Sequence, residues 1–215
     1  MSLILFDFDG VLADTLNDLL QFGQEACNEL GVRHTATQAD LDALEIMSFA
    51  TYGRQLEVPE ALVDDFVRRC LQKVAQKETP PALFDGLGPV IERLAADHML
   101  AIVTSNNRAN VSAFLAHHGL TERVRTIYGV DAPGSKVEKI RRAKAEFTRA
   151  GESVWMVGDS VSDVRAAREA GVMSIAVGWG HQSVPKLLAE HPDALVHTPQ
   201  ELLEVIMRGK VESAA

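Results

Sequence analysis

The spacing of hydrophobic and polar positions changes several times along the chain, and each change marks an element. Leu3-Ile4-Leu5-Phe6 is a short apolar run closed by Asp7-Phe8-Asp9-Gly10, the pattern of a buried strand ending in a turn. From Leu16 the period becomes helical. Leu16, Leu19, Leu20, Gly23, Cys27 and Leu30 recur on one face, Thr15 and Asp18 have capping-box spacing, and Gly31 falls just past the end. A second helical piece is predicted over Gln38 to Met47. A third follows Pro59, where Val63, Phe66, Val67, Cys70, Leu71 and Val74 form one apolar stripe, and Thr79-Pro80-Pro81 stops it. Between the second and third, Met47-Ser48-Phe49-Ala50-Thr51-Tyr52-Gly53-Arg54 reads as a loop.

Beyond Pro81 strand and helix alternate. Apolar runs at Leu100–Val103, Thr126–Val130, Val154–Val157 and Ser174–Val177 each adjoin an amphipathic stretch. That alternation predicts right-handed crossovers and a parallel sheet covered on both faces. The expected fold class is therefore α/β: a Rossmann-like parallel sheet core flanked by helices, with an inserted small helical cap. Residues 1–15 and 82–215 would form the core, and residues 16–81 the cap. The cap is expected over the C-terminal edge of the sheet, where open α/β folds bind ligands. Val211 to Ala215 read as a frayed tail.

The 215 residues are 47% hydrophobic and 24% charged, enough for a sizeable core. The balance of 21 basic against 30 acidic residues gives −9, and the basic residues are not clustered. This argues against nucleic acid or an anionic membrane as partner, but allows a small anionic substrate, which needs only local positive charge. The absence of an apolar run of membrane-spanning length and of a basic leader leads to the expectation of a cytoplasmic protein. The sequence does not choose between a monomer and a homodimer. Cys27 and Cys70 sit within helical patterns and read as reduced core residues.

Candidate chemistry gathers at four strand ends. Asp7 and Asp9 alternate with Phe8 at the end of the first strand, so both start toward one side. Buried acids without partners are costly, which suggests a cation or reacting group between them; the plainer reading is a loop acid and a helix cap. Thr104-Ser105-Asn106 follows the second run, and two readings stand side by side. Hydroxyl and amide groups where a helix begins can hold an anion, and the same residue types are ordinary N-caps. Lys136 lies in the first turn of a helix opened by Ser135 and Glu138, the unfavourable end of the dipole for a cation. Its ammonium group is expected to serve a phosphate or carboxylate, the other reading being an ordinary solvated lysine. The fourth end, Gly158-Asp159-Ser160-Val161-Ser162-Asp163, puts two acids four residues apart on one face of a helical start. The helix dipole alone would favour acids there. Four carboxylates converging from two strand ends would also need a hard cation, and oxygen ligands without His or Cys nearby point to Mg²⁺.

Asp7-Phe8-Asp9-Gly10-Val11-Leu12-Ala13-Asp14-Thr15, Thr104-Ser105-Asn106, Lys136 and Gly158-Asp159-Ser160-Val161-Ser162-Asp163 resemble, in order and spacing, the four motifs of the haloacid dehalogenase-like hydrolase superfamily. The helical insert resembles that of the phosphoglycolate phosphatase and β-phosphoglucomutase branch. Gly178-Trp179-Gly180-His181 and Pro192-Asp193-Ala194 resemble its phosphatase side. The one departure is Val137, where the family often has proline after the lysine.

The resemblance implies a Mg²⁺-dependent phosphatase acting on a small phosphorylated metabolite, with phosphoglycolate as the first expectation. Asp7 would be the nucleophile forming an aspartyl-phosphate, and Asp9 the general acid and then base. Thr104 and Lys136 would bind the phosphoryl group together with Ser105 and Asn106. The metal ligands would be Asp7, Asp9 through its carbonyl, Asp159 and Asp163. Arg54, in the insert, would reach an anionic leaving group, or else be an ordinary exposed arginine. The alternatives are a phosphomutase using the same intermediate and a non-catalytic phosphate-binding module. Dehalogenation is disfavoured because expelling a halide needs no acid at the position of Asp9.

Overall fold

In the computed structural model residues 1–212 are described. The chain divides into two compact units, Met1–Asp14 with Pro81 onward, and Thr15–Pro80.

The first unit begins with β1 (Leu3–Phe6) and the two-residue β2 (Ala13–Asp14). The second unit contributes α1 (Leu16–Glu29), α2 (Gln38–Asp42), α3 (Phe49–Gln55) and α4 (Val63–Gln76). The chain then returns through β3 (Ala82–Leu83), which pairs antiparallel with β2. The elements that follow are α5 (Leu87–Asp97), β4 (Met99–Val103), α6 (Arg108–His117), β5 (Thr126–Tyr128) and α7 (Lys136–Phe147). After them come β6 (Val154–Gly158), α8 (Val161–Ala170), β7 (Met173–Val177), α9 (Val184–Ala189), β8 (Ala194–Val196) and α10 (Pro199–Glu212).

The main sheet is six-stranded and parallel throughout, in the order β5-β4-β1-β6-β7-β8. Chain order reverses direction around β1, so the crevice expected at such a switch point opens at the carboxyl ends of β4, β1 and β6. The register aligns those ends: Phe6 lies opposite Ile102 on one side and Val157 on the other.

Alternation along β1 decides which helices its end will face. Ile4 and Phe6 pack into one apolar cluster with Leu94 and Val111, under α5 and α6. Leu3 and Leu5 pack into another with Ile140 of α7 and Ala166 and Ala167 of α8. Both faces of the strand are buried, as its unbroken apolar run implies. Asp7 continues the Leu3–Leu5 side, so its carboxyl emerges toward α7 and α8. Phe8 takes the other side and meets Phe114 edge to face at 4.9 Å.

The helical unit has its own core around Tyr52, Phe66, Cys27 and Cys70, the last two buried and unpaired as thiols. Here several expectations need correcting. The helix predicted over Gln38 to Met47 stops at Asp42, and the stretch read as a loop contains α3. Ser48 caps that helix: its Oγ accepts the Thr51 N–H, while the Thr51 hydroxyl reaches back to the Ser48 N–H. Gly53, within that stretch, is a packing residue, since a Cβ there would lie 2.8 Å from the Phe66 ring. Thr15 has φ −111° and ψ 4°, not the extended geometry of a capping box, and makes no side-chain cap hydrogen bond. Asp18 bonds Lys77 instead.

In the first unit β5 ends at Tyr128, short of Val130. The strands β2, β3 and β8, of two or three residues each, are too short to carry a period. Of the expected tail, Val211 and Glu212 continue α10, and residues 213–215 lie outside the described residues. Among the described residues no helix is long and apolar enough to cross a membrane.

Candidate active site

Asp7, Asp159 and Asp163 come together at the carboxyl ends of β1 and β6, with one oxygen from each within 4.8 Å of the others. The Lys136 ammonium stands among them, 2.5 Å from Asp163 Oδ1 and 3.1 Å from Asp7 Oδ2. Sequence placed this lysine in the first turn of its helix, and it is the first residue of α7 behind the Ser135–Glu138 capping box. The acids recover what the dipole costs. Val137, the departure from the family pattern, does not keep the ammonium from the cluster.

Each acid is held differently. The Asp7 backbone N–H still bonds the Val157 carbonyl at 2.8 Å, so β1 fixes the residue. Its side chain is 13% exposed, and its Oδ1 is buried with no hydrogen-bond partner among the described residues. Asp163 is the third residue of α8. Its Oδ2 accepts from the Ser160 hydroxyl at 2.7 Å and the Ser160 N–H at 3.1 Å, leaving Oδ1 for Lys136. Gly158 leaves room for this carboxylate, because a Cβ there would sit 2.2 Å from the Asp163 Cβ. Asp159 directs Oδ2 to the backbone N–H of His181, at 2.8 Å.

Burial pushes the Asp7 carboxyl up to about 7; Lys136 opposes the rise, and Asp163 and Asp159 add to it. Burial likewise raises Asp159 to about 7, reinforced by the Asp163 charge. Burial works against the Lys136 cation, but Asp163 and Asp7 outweigh it and raise its pKa. Three acids thus share one buried ammonium. This is the imbalance that a divalent cation relieves, and with the unpartnered Asp7 oxygen and the all-oxygen ligand set it fits Mg²⁺.

Asp9 lies apart from this triad. Its Oδ2 accepts a hydrogen bond from the Asn106 side-chain amide at 3.0 Å. The expectation of four carboxylates at one point is thereby reduced to three. Asn106 is itself held, its Oδ1 accepting from the Asn107 N–H at 2.9 Å and the Asn110 amide at 3.0 Å. The two readings of Thr104-Ser105-Asn106 also separate here. The N-cap of α6 is Asn107, whose side chain accepts the Asn110 N–H, so the three preceding residues are not the cap. Thr104 is buried, and its Oγ1 accepts the Asn106 N–H at 3.0 Å, which leaves its hydroxyl proton to donate. Ser105 is exposed. Arg54, in the helical unit, makes a two-point ion pair with Glu60, at 2.9 and 2.6 Å.

Sequence reasoning found no histidine near the acids. His181 is 3% exposed, and its Nδ1 lies 3.3 Å from Asp159 Oδ2. Burial holds the ring below its ordinary pKa. The contact spans 22 residues between the ends of two neighbouring strands. Only the adjacency of β6 and β7 could have revealed it.

Comparisons with known proteins give the chain its family. The family model described as "haloacid dehalogenase-like hydrolase" matches residues 4–177. A phosphoglycolate phosphatase of Synechococcus elongatus is 30% identical, over 96% of this chain and 97% of its own. The tyrosine-protein kinase PtkA of Mycobacterium tuberculosis is 29% identical over 84% of this chain, which spans 63% of the kinase. Among solved structures, a haloacid dehalogenase-like hydrolase of Streptococcus pneumoniae superposes with a TM-score of 0.85 at 23% identity, covering 96% of this chain and 98% of that one. With its motifs in order on a shared sheet edge, the chain belongs to the haloacid dehalogenase-like hydrolase family, where it stands with the phosphatases.

Proposed function

We propose that the chain hydrolyses a small organic phosphate monoester through an aspartyl-phosphate on Asp7, with Mg²⁺ as cofactor. The observation that carries this is the buried Asp7 oxygen with no protein partner, beside a lysine already shared with Asp163. A largely buried carboxylate faced by one cation is suited to attack phosphorus once the repulsion between anions is screened.

Asp7 attacks the phosphorus in line with the leaving oxygen, and the P–O ester bond breaks as the new acyl phosphate forms. Asp9 gives its proton to the departing alkoxide and later takes one from the water that hydrolyses the acyl phosphate. Its hydrogen bond from Asn106 aims the carboxyl for both steps. Lys136 and the Thr104 hydroxyl donate to the phosphoryl oxygens, where charge builds in the transition state. Mg²⁺, held by Asp7, the Asp9 carbonyl and Asp159, with Asp163 as a direct or outer ligand, would screen the carboxylate from the phosphate. Phosphoglycolate is the first substrate to try, because curated relatives matched along nearly their whole length carry that activity in their names.

The test is phosphate release from a panel of phosphorylated metabolites, phosphoglycolate and hexose phosphates included, with Mg²⁺ and with chelator. Release that requires Mg²⁺ and vanishes in Asp7→Asn is expected. Undiminished turnover in chelator would remove the metal from the reading, and isomerised hexose phosphate without free phosphate would make the enzyme a mutase.

A further inference from the structure

Asp159 is held from outside its own strand and helix. The loop after β7 closes on it, and the loop's polar residues are buried: His181 is 3% exposed and Gln182 2%. Two His181 groups meet the same carboxylate oxygen, Asp159 Oδ2: the backbone N–H at 2.8 Å and ring Nδ1 at 3.3 Å. The next residue ties down the helix that carries Asp163, since Gln182 Oε1 accepts the N–H of Val161, the first residue of α8, at 2.7 Å. That amide is one of the donors a helix leaves without an internal partner.

The approach is close enough to exclude side chains. A Cβ on Gly180 would lie 2.2 Å from the Asp159 Cβ and 2.7 Å from the Gly10 carbonyl oxygen. A Cβ on Gly10 would lie 2.0 Å from Asp159 Oδ2 and 3.0 Å from His181 Nδ1. Two backbone turns, one after β1 and one after β7, therefore clamp a single carboxylate. A loop concerned only with its own folding has no need to spend a buried imidazole on an acid at the end of another strand.

We infer that Gly180-His181-Gln182 positions the Asp159 carboxylate for a divalent cation, with His181 as the positioning residue. The inference rests on the metal reading above. One Asp159 oxygen is occupied by two groups of the loop, so the carboxylate cannot swing, and its orientation does not depend on the ion. Such outer contacts to a ligand are worth roughly 10–100-fold in metal affinity.

The test is Mn²⁺ binding to the full chain, followed by calorimetry, for wild type and for His181→Ala, His181→Asn and His181→Gln, with circular dichroism to establish folding. An asparagine amide can stand where Nδ1 stands, and a glutamine amide reaches the place of Nε2. The expected result is that Asn binds close to wild type, whereas Ala and Gln bind about 10–100-fold more weakly. At saturating ion, turnover in the weakened variants recovers. Should His181→Ala not fold, the Asn and Gln pair carries the comparison. Equal affinities in Asn and Gln, or wild-type affinity in Ala, would overturn the inference alone. A wild-type chain that binds no ion would overturn the metal reading and this inference with it.

Discussion

Lys136 sits where a cation costs helix stability and is retained among three acids. Removing it leaves Asp7 and Asp163 with no counter-charge in a buried site. Breaking a buried pair from one side costs about 3–5 kcal/mol, so Lys136→Ala should lose about that much stability in urea unfolding without divalent ions. Added Mg²⁺ should return part of the loss, because it supplies the missing positive charge; a loss that is the same with and without the ion would contradict this. Asn106 acts at one remove, through Asp9. If Asp9 moves the proton, Asp9→Asn should lower kcat on the order of a hundredfold or more. Asn106→Ala should show a smaller loss in kcat with KM little changed, measured by steady-state kinetics. Lys136 was legible in the sequence because its position is locally unfavourable. His181 was not, because nothing near it in sequence hints at a partner across two strands, and Asn106 was read as a phosphate donor because its tie to Asp9 exists only in the fold.

The elements were legible where the hydrophobic period ran long enough. The strand at Leu3–Phe6 and the helices at Leu16 and Val63 all stand where the period predicts. The failures have one physical source, a local signal outvoted by packing: Gly53 sits inside a helix to admit Phe66, and Ala194–Val196 becomes a strand only by pairing with β7. Short elements of this kind depend on their caps. At the start of α2, Asp40 accepts from the Thr37 N–H at 2.9 Å, the Thr37 hydroxyl at 2.6 Å and His34 at 3.1 Å. Burial works to raise the Asp40 pKa, but the Thr37 and His34 bonds outweigh it and lower it below the ordinary 3.8. A depressed carboxylate stabilises the fold fully above its unfolded value and loses that contribution as pH falls through the folded value. Asp40→Ala should therefore cost about 1–3 kcal/mol at pH 7, and the gap should close below pH 3.8. Urea unfolding at both pH values checks the sign, and a gap that widens in acid would refute the cap.

Over the whole molecule the net charge of −9 draws in divalent cations and repels anionic substrates. An enzyme for phosphate esters with that charge needs its positive groups at the reacting centre, and Lys136 with a bound cation would supply them. All the groups assigned to that centre, Asp7, Asp9, Thr104, Asn106, Lys136, Asp159, Asp163 and His181, belong to the unit built on the parallel sheet. The apolar clusters divide the same way: three lie against the sheet, and a fourth is drawn wholly from residues 15–80. The ends of the inserted segment are already joined, because Asp14 pairs with Ala82 across β2 and β3. A chain with residues 15–80 replaced by a short Gly-Ser turn should consequently fold, unfold in one cooperative step and gain thermal stability from Mg²⁺ or Mn²⁺, as binding to the native state requires. Asp159→Asn in that shortened chain should abolish the gain. If the shortened chain folds but its melting temperature ignores the ion while the full chain responds, then the helical unit supplies something the acid cluster needs, and the centre is not the sheet's alone.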